Sequence, residues 1–460
     1  MNKNEIIEIR ITDLDQEGIG IGHTDTGLAV FVKDTVPGDL VQTRIVKVKK
    51  HLAFGRAEQI LEASPERVKP ACVKSRACGG CVLQQMSYPA QLKVKQKKVE
   101  ESLRRIGGID HPELLMEPIT GMEEPCYFRN KMQFPFGQAG GHTVLGFYAG
   151  RTHALVPLQD CAVGQPVNQS IMETVCRWAD EFSVPVYDES SHQGLLRHLL
   201  TRVAFATGEV MVCLVINGRK VPYAEELARR LEKSIAAYDL RLVSFMYNVN
   251  TERTNRILGT HSFVLQGQPY ITDHIGDLSF RISPQSFYQV NPAQTRRIYE
   301  KALEYAQLNG QETVWDMYCG TGTISLFLSA RAKQVFGVEI VPEAIRDARQ
   351  NALDNGIKNV EFFVGKAEEV VPAWHEAQGR TTPIDVVVVD PPRKGCDPVL
   401  LDTLVRMQPE RIVYVSCDPA TLARDIHFLQ EQGYELRKAA AFDAFCHTMH
   451  VETVVLLSKK

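Results

Sequence analysis

Thr313-Val314-Trp315-Asp316-Met317-Tyr318-Cys319-Gly320-Thr321-Gly322-Thr323 is the stretch that decides the fold. It reads as a short apolar strand, a tight glycine turn and a helix beginning near Thr323. Glycine at 320 and 322 lets a ligand come close to the backbone. Val335-Phe336-Gly337-Val338-Glu339 supplies a second strand ending in an acid. That is where an open α/β sheet puts a carboxylate to accept hydrogen bonds from a ribose. With only two close glycines after Asp316 there is no cradle for a pyrophosphate, so the turn suits S-adenosylmethionine better than a dinucleotide.

Two more strand ends carry chemistry. The valines Val386–Val389 run into Asp390-Pro391-Pro392-Arg393, whose prolines remove two amide donors and fix the exit path. Taken alone this is a rigid loop capped by an acid. Val413-Tyr414-Val415 ends in Ser416-Cys417-Asp418-Pro419, with a helix-like segment from Leu422 onward. A lone Cys is ordinarily a small buried hydrophobe. Between a strand and a helix N-terminus, though, the helix dipole favours its thiolate and makes it a candidate nucleophile. Three strand ends with polar or reactive residues fit the rule that ligands sit beyond the carboxyl ends of parallel strands.

With Phe287-Tyr288-Gln289-Val290-Asn291 before the glycine turn and His450-Val451-Glu452 near the C-terminus, these motifs resemble one family, the S-adenosylmethionine-dependent RNA (uracil-5-)-methyltransferases. The resemblance spans nearly the whole chain and is strongest to bacterial members acting on 23S ribosomal RNA. It implies a class I, Rossmann-like α/β methyltransferase domain, an N-terminal β-barrel of TRAM or oligonucleotide-binding type, and a mixed α+β central domain. It implies Cys417 as nucleophile and Glu452 as general base. Gln289 is expected at the methionine end of the cofactor; Tyr318, Thr323 and Glu339 around adenosyl and ribose; Asp390 between cofactor and uracil. Phe287 is available to stack on the target base, and Arg393 to stabilise an enolate or bind phosphate. The adenine contact common after the third strand has no clear match in Gly365-Lys366-Ala367-Glu368.

The chemistry itself asks for this set. Carbon 5 of uracil is too weak a nucleophile to take a methyl group unaided. A thiolate added at carbon 6 turns the ring into an enolate, and a base must then remove the carbon 5 proton to release the thiol. The target base must leave its stack, at roughly a few kcal/mol, less in an unpaired loop.

At 460 residues and 44% hydrophobic, the chain holds several cored domains, and its net charge of −3 says nothing for nucleic acid. Charge distribution does: Val41 to Asp110 carries fifteen Lys or Arg against six Asp or Glu. Short strands are expected at Ile6–Ile11, Leu28–Lys33, Leu40–Val48 and Ala57–Leu61, separated by Gly18–Gly22 and Pro37-Gly38, giving a small barrel over residues 1–62. Residues 63–88 and 117–270 form the central domain, and 89–116 with 271–460 the methyltransferase domain. Tyr88–Ile106 reads as a basic amphipathic helix, with Leu92, Val99, Leu103 and Ile106 on one face and Lys95 among the polar residues. By resemblance, Tyr127–Lys131 and Leu196–Arg202 help to hold RNA.

Cys72, Cys78 and Cys81 flank Gly79-Gly80, and Cys161 lies far downstream. Four thiolates bind zinc or an iron–sulfur cluster, and spacing does not choose between them. The resemblance does: members with this pattern carry a [4Fe-4S] cluster. No signal-like N-terminus or long apolar run is seen, so a cytoplasmic protein, off the membrane and monomeric, is expected. Three other readings compete, one concerning substrate only: transfer RNA in place of 23S RNA, although the family's tRNA enzymes typically lack both barrel and cluster. An amino-methyltransferase using Asp-Pro-Pro has no need of Cys417, and a non-catalytic RNA-binding scaffold has no need of Cys417, Glu452 or an intact cofactor turn.

Overall fold

The structure is a computed structural model describing residues 1–150, 152, 154–378 and 383–460. The chain divides into two compact units: Met1–Lys95 with Tyr148–Val156 and Phe445–His450, and Gln96–Phe147 with Pro157–Ala444 and Val451–Lys460.

In the first unit, β1 (Ile6–Leu14), β2 (Gly20–His23), β3 (Ala29–Val32), β4 (Leu40–Val48) and β5 (Leu52–Glu62) close a barrel in the order β1-β2-β3-β5-β4. Alternation sends Ile9, Ile11, Val30, Val32, Val41, Ile45 and Ala53 inward. The glycines at 20 and 22, read from sequence as a turn, are in a strand instead. A Cβ on Gly20 would lie 2.0 Å from Thr35 Oγ1 and one on Gly22 2.5 Å from the Arg10 carbonyl. Neighbouring chain passes too close there for any side chain. Asp39, fully buried, closes the barrel's end: it accepts from the amides of Val36 (2.7 Å) and Ser64 (2.9 Å) and pairs with Arg67 at 2.5 Å. Burial pushes its carboxyl up, but hydrogen bonds from Arg67, Ser64 and Val36 outweigh this and hold it below the usual carboxylate range.

In the second unit, β6 (Lys131–Ala139), β7 (His142–Tyr148, all but its last residue), β9 (Leu196–Val203), β10 (Glu209–Ile216), β11 (Arg241–Val249) and β12 (His261–Gly267) form a mixed sheet ordered β12-β11-β10-β9-β6-β7, while β8 (Leu155–Pro157) falls mostly in the first unit. Its apolar face packs on the helices Val167–Glu181 and Ala224–Ala236 around fully buried Trp178. A hairpin, β13 (Ile271–Ile275) and β14 (Leu278–Ile282), leads to the second sheet. There β15 (Thr313–Met317), β16 (Gln334–Glu339), β17 (Val360–Val364), β18 (Val386–Val389), β19 (Arg411–Ser416), β20 (Tyr434–Phe442) and β21 (Glu452–Lys459) take the order β17-β16-β15-β18-β19-β21-β20. The first five in that order are parallel, and β21 runs antiparallel between β19 and β20. Strand order reverses between β15 and β18, the switch point at which such sheets bind ligands. The barrel, the mixed middle and the doubly wound sheet are the architecture anticipated from the sequence.

The basic helix runs Tyr88–Arg105. Val99 and Leu103 are buried with Leu422, Ile426 and Leu429. Lys95, assigned to the polar face, is instead fully buried, its ammonium donating to the Phe445 carbonyl at 3.0 Å. Among the described residues no helix is long and apolar enough to cross a membrane.

Candidate active site

Tyr318, Gly320 and Gly322 all have positive φ (66°, 53° and 78°), which turns the chain sharply from β15 into the helix Thr323–Ser329. A Cβ on Gly322 would lie 2.8 Å from the Phe362 ring, whereas one on Gly320 would meet no atom within 4 Å. The backbone at 320 is therefore open to a ligand. The Gly320 amide donates to Glu339 Oε2 at 3.3 Å, and Glu339 Oε1 accepts from the Val341 amide at 3.0 Å. The Thr323 hydroxyl lies 2.8 Å from that of buried Tyr299, and the Tyr318 hydroxyl accepts from the Asp397 amide at 3.4 Å. These three expected cofactor residues thus line one turn and the strand beside it.

Beneath the turn Asp316 is fully buried. One carboxylate oxygen accepts from Ser325, and Oδ1 has no hydrogen-bond partner. Burial, reinforced by Asp390 and Glu339, lifts its carboxyl to about 7 against the Ser325 hydrogen bond. An orphaned carboxylate oxygen near an open glycine backbone fits a ligand bearing donors and positive charge, as S-adenosylmethionine does. Sequence reasoning missed the apolar residues beside Glu339: Ile340, Val341 and Val364 are exposed, with Val364 paired to Glu339 in register. The signal was there, since exposed apolar residues just past parallel strand ends are out of place unless something covers them.

The second set of strand ends adjoins the first. Ser416 pairs with Thr453, so one more step of the β19–β21 register sets Cys417 against Glu452. Asp390 follows β18, whose last residue pairs with Met317 on one side and Tyr414 on the other. Glu452 is 6% exposed; burial chiefly, and Asp390 next, drive its carboxyl up to about 8 while Arg393 opposes. Asp390 is raised to about 7 by burial. The half-buried Cys417 thiol is pushed up to about 11 by burial, then by Glu452 and Asp390, with Arg393 again opposing.

This corrects the dipole activation anticipated for Cys417. The following helix, Pro419–Glu431, is capped by Asp418, whose Oδ1 accepts from Ala420 and Thr421 amides at 3.0 Å each. The cap takes two of the free amides at that helix N-terminus, and two carboxyls favour the thiol.

Gln289 is half-buried; its carbonyl accepts from Asn130 Nδ2 at 2.9 Å, and its neighbour Phe287 is 67% exposed. Of the basic residues expected to hold RNA, two do other work. Arg197 donates to the carbonyls of Asn250 (2.7 Å) and Glu252 (2.8 Å), and Arg202, 2% exposed, to those of Ser286 and Pro284. Both are buried and used to fix loops. Lys131 remains half-buried, its ammonium lowered to about 8 by burial and by Arg202 and Arg129.

Cys72, Cys78 and Cys81 lie in the first unit and Cys161 in the second. Burial raises the Cys78 thiol, and Cys72 is near enough to add to that rise. Among the described residues no three His, Cys, Asp or Glu side chains are arranged to hold a metal ion, so no preformed cage is present.

Parallel strands wound both ways from β15, with reactive groups gathered at their carboxyl ends, are how class I methyltransferases are built. The tRNA (uracil-5-)-methyltransferase family profile matches residues 181–460, and the TRAM domain profile residues 2–57. A protein of Halalkalibacterium halodurans described as an uncharacterized RNA methyltransferase is 47% identical over 460 residues, covering 100% of this chain and 98% of its own. One from Clostridium tetani is 45% identical over 458 residues, with 100% and 97% covered. The crystal structure of Pyrococcus abyssi tRNA (uracil-54, C5)-methyltransferase in complex with S-adenosyl-L-homocysteine superposes with a TM-score of 0.77 at 27% identity, covering 98% of this chain and 100% of that one. The chain belongs to the tRNA (uracil-5-)-methyltransferase family, as an S-adenosylmethionine-dependent RNA (uracil-5-)-methyltransferase with a TRAM domain.

Proposed function

We propose that the protein methylates carbon 5 of specific uridines in 23S ribosomal RNA through a covalent bond between Cys417 and carbon 6, yielding 5-methyluridine and S-adenosylhomocysteine. The observation that carries this reading is the strand register opposing Cys417 to Glu452, with Asp390 and Arg393 acting on both. S-adenosylmethionine supplies an electrophilic methyl group. Cys417, once deprotonated, adds to carbon 6; Glu452, ionised, takes the carbon 5 proton after transfer, and the thiolate leaves. Gln289, Tyr318, Thr323, Glu339 and Asp390 bind and orient the cofactor, with Ile340 and Val364 flanking its adenine. Phe287, strongly exposed, stacks on the everted base.

The test is mass-spectrometric mapping of 5-methyluridine in ribosomal and transfer RNA after gene deletion. Loss from 23S RNA, restored by the wild-type gene but not by Cys417→Ala, is the expected result. Loss from transfer RNA alone would favour a second reading, uracil-5 methylation of transfer RNA, which the Pyrococcus abyssi likeness supports. We assign the reaction to the cytoplasm and to a monomer in three domains, 1–62, 63–88 with 117–270, and 89–116 with 271–460. A structural [4Fe-4S] cluster on Cys72, Cys78, Cys81 and Cys161 is proposed from the family resemblance, since the thiol pattern by itself fits zinc equally well. Iron and acid-labile sulfide in protein purified without oxygen test it, and their absence retires it.

A further inference from the structure

The loop after β18 is tied to the helix after Cys417 by a buried carboxylate. Asp425, fully buried on Pro419–Glu431, accepts through Oδ2 from the Cys396 amide (2.9 Å) and the Tyr414 hydroxyl (2.7 Å). Its Oδ1 accepts from Arg424 Nε (2.8 Å) and Nη2 (2.7 Å). Arg424 Nη2 also donates to the Lys394 carbonyl (3.0 Å), and the Thr421 hydroxyl to that of Arg393 (3.2 Å). The stretch 393–396 is thus held at three positions, 393, 394 and 396, by one turn of that helix. Tyr414 carries the same carboxylate back to β19, whose end bears Cys417.

We infer that Asp425 is a positioning residue: by fixing this loop it sets the Arg393 guanidinium beside Cys417 and Glu452. The site needs such a device. Cys417 is faced by Glu452 from β21 and Asp390 from the end of β18, and Arg393 opposes both carboxyls from an exposed loop. A long side chain on an exposed loop keeps a fixed place only if its backbone is held. The inference rests on Cys417 being the reactive thiol, as proposed above.

The experiment measures iodoacetamide labelling of the Cys417 peptide by mass spectrometry from pH 7 to 10, on the full chain without RNA or cofactor. Arg393→Gln is expected to slow labelling at a given pH by roughly three- to tenfold, the effect of losing a nearby cation. Asp425→Asn is expected to slow it in the same direction, and the double variant no further than Arg393→Gln alone. In methylation assays Asp425→Asn should lower kcat with the cofactor KM unchanged. Wild-type labelling in Asp425→Asn, or effects that multiply in the double variant, would overturn the inference. Should Asp425→Asn not fold, Arg424→Gln, at a side chain 53% exposed, replaces it and must also slow labelling. Labelling is independent of methyl transfer, so an active Cys417→Ala would remove the nucleophile assignment without touching this result.

Discussion

Cys417 directly follows Ser416 and Glu452 directly precedes Thr453, the residue paired with Ser416 across two antiparallel strands, so one further step of that register sets Cys417 against Glu452, whose carboxyl acts on the thiol. Because β21 enters the sheet antiparallel, the start of one strand meets the end of another. This brings a thiol and a carboxyl together from segments that sequence spacing does not relate.

Cys417→Ala should fold with an unchanged melting temperature within a few degrees, bind S-adenosylmethionine in calorimetry, and give no 5-methyluridine. Wild-type protein should form a denaturation-resistant adduct with 5-fluorouridine RNA, and the variant none. Methylated product from the alanine variant would remove the thiol from the reaction.

Glu452→Gln separates stability from catalysis. A carboxyl held near 8 in the folded chain, against 4.5 ordinarily, favours folding in its neutral form. That contribution is present below pH 4.5 and is lost as pH rises through about 8. The neutral glutamine should therefore melt higher than wild type at pH 8 to 9 and equally at pH 4. Proton removal needs the ionised acid, so wild-type turnover should climb with pH to about 8, while the variant accumulates the covalent RNA adduct. An adduct-free, active Glu452→Gln would count against this role.

The two glycines of the cofactor turn should respond differently to alanine. Gly322→Ala drives a methyl into Phe362 and Ala348 and should lose about 1–3 kcal/mol of stability in denaturant titration. Gly320→Ala meets no protein atom, so it should lose only about 1 kcal/mol of backbone strain. Its larger effect should be on cofactor affinity. Equal stability losses at both positions would mean the space above Gly320 is not free.

Asp39→Ala leaves Arg67 and the Val36 and Ser64 amides without their acceptor, and should destabilise the first unit by about 3–5 kcal/mol. A carboxyl held below its ordinary 3.8 contributes stability above that pH and loses it as pH falls through the lowered value. Acid should therefore unfold wild type more steeply than the variant, read by circular dichroism.

Much of this was legible because the parallel strands announce themselves: Val386–Val389 and Val413–Val415 are apolar without interruption, as strands covered on both faces must be. The reactive residues at their ends stood out against that background. What was not legible depended on tertiary proximity. Gly20 and Gly22 look like turn formers until Thr35 and Arg10 are placed against them. Lys95 looks like surface until the Phe445 carbonyl reaches its ammonium. Arg197 and Arg202 look like RNA contacts until distant loops claim them. Asp418 passes unremarked as part of the motif around Cys417 until its carboxylate is seen to take the Ala420 and Thr421 amides.

Asp316 and Asp390, each raised by burial and the first also by the second, give this end of the sheet a charge that depends on what binds there. A cation arriving above them would displace protons into solvent, so its affinity should climb with alkalinity. Methyl transfer turns a sulfonium into a neutral thioether, which such acids would no longer attract. A pair of acids that favoured the donor would thereby let the spent molecule go.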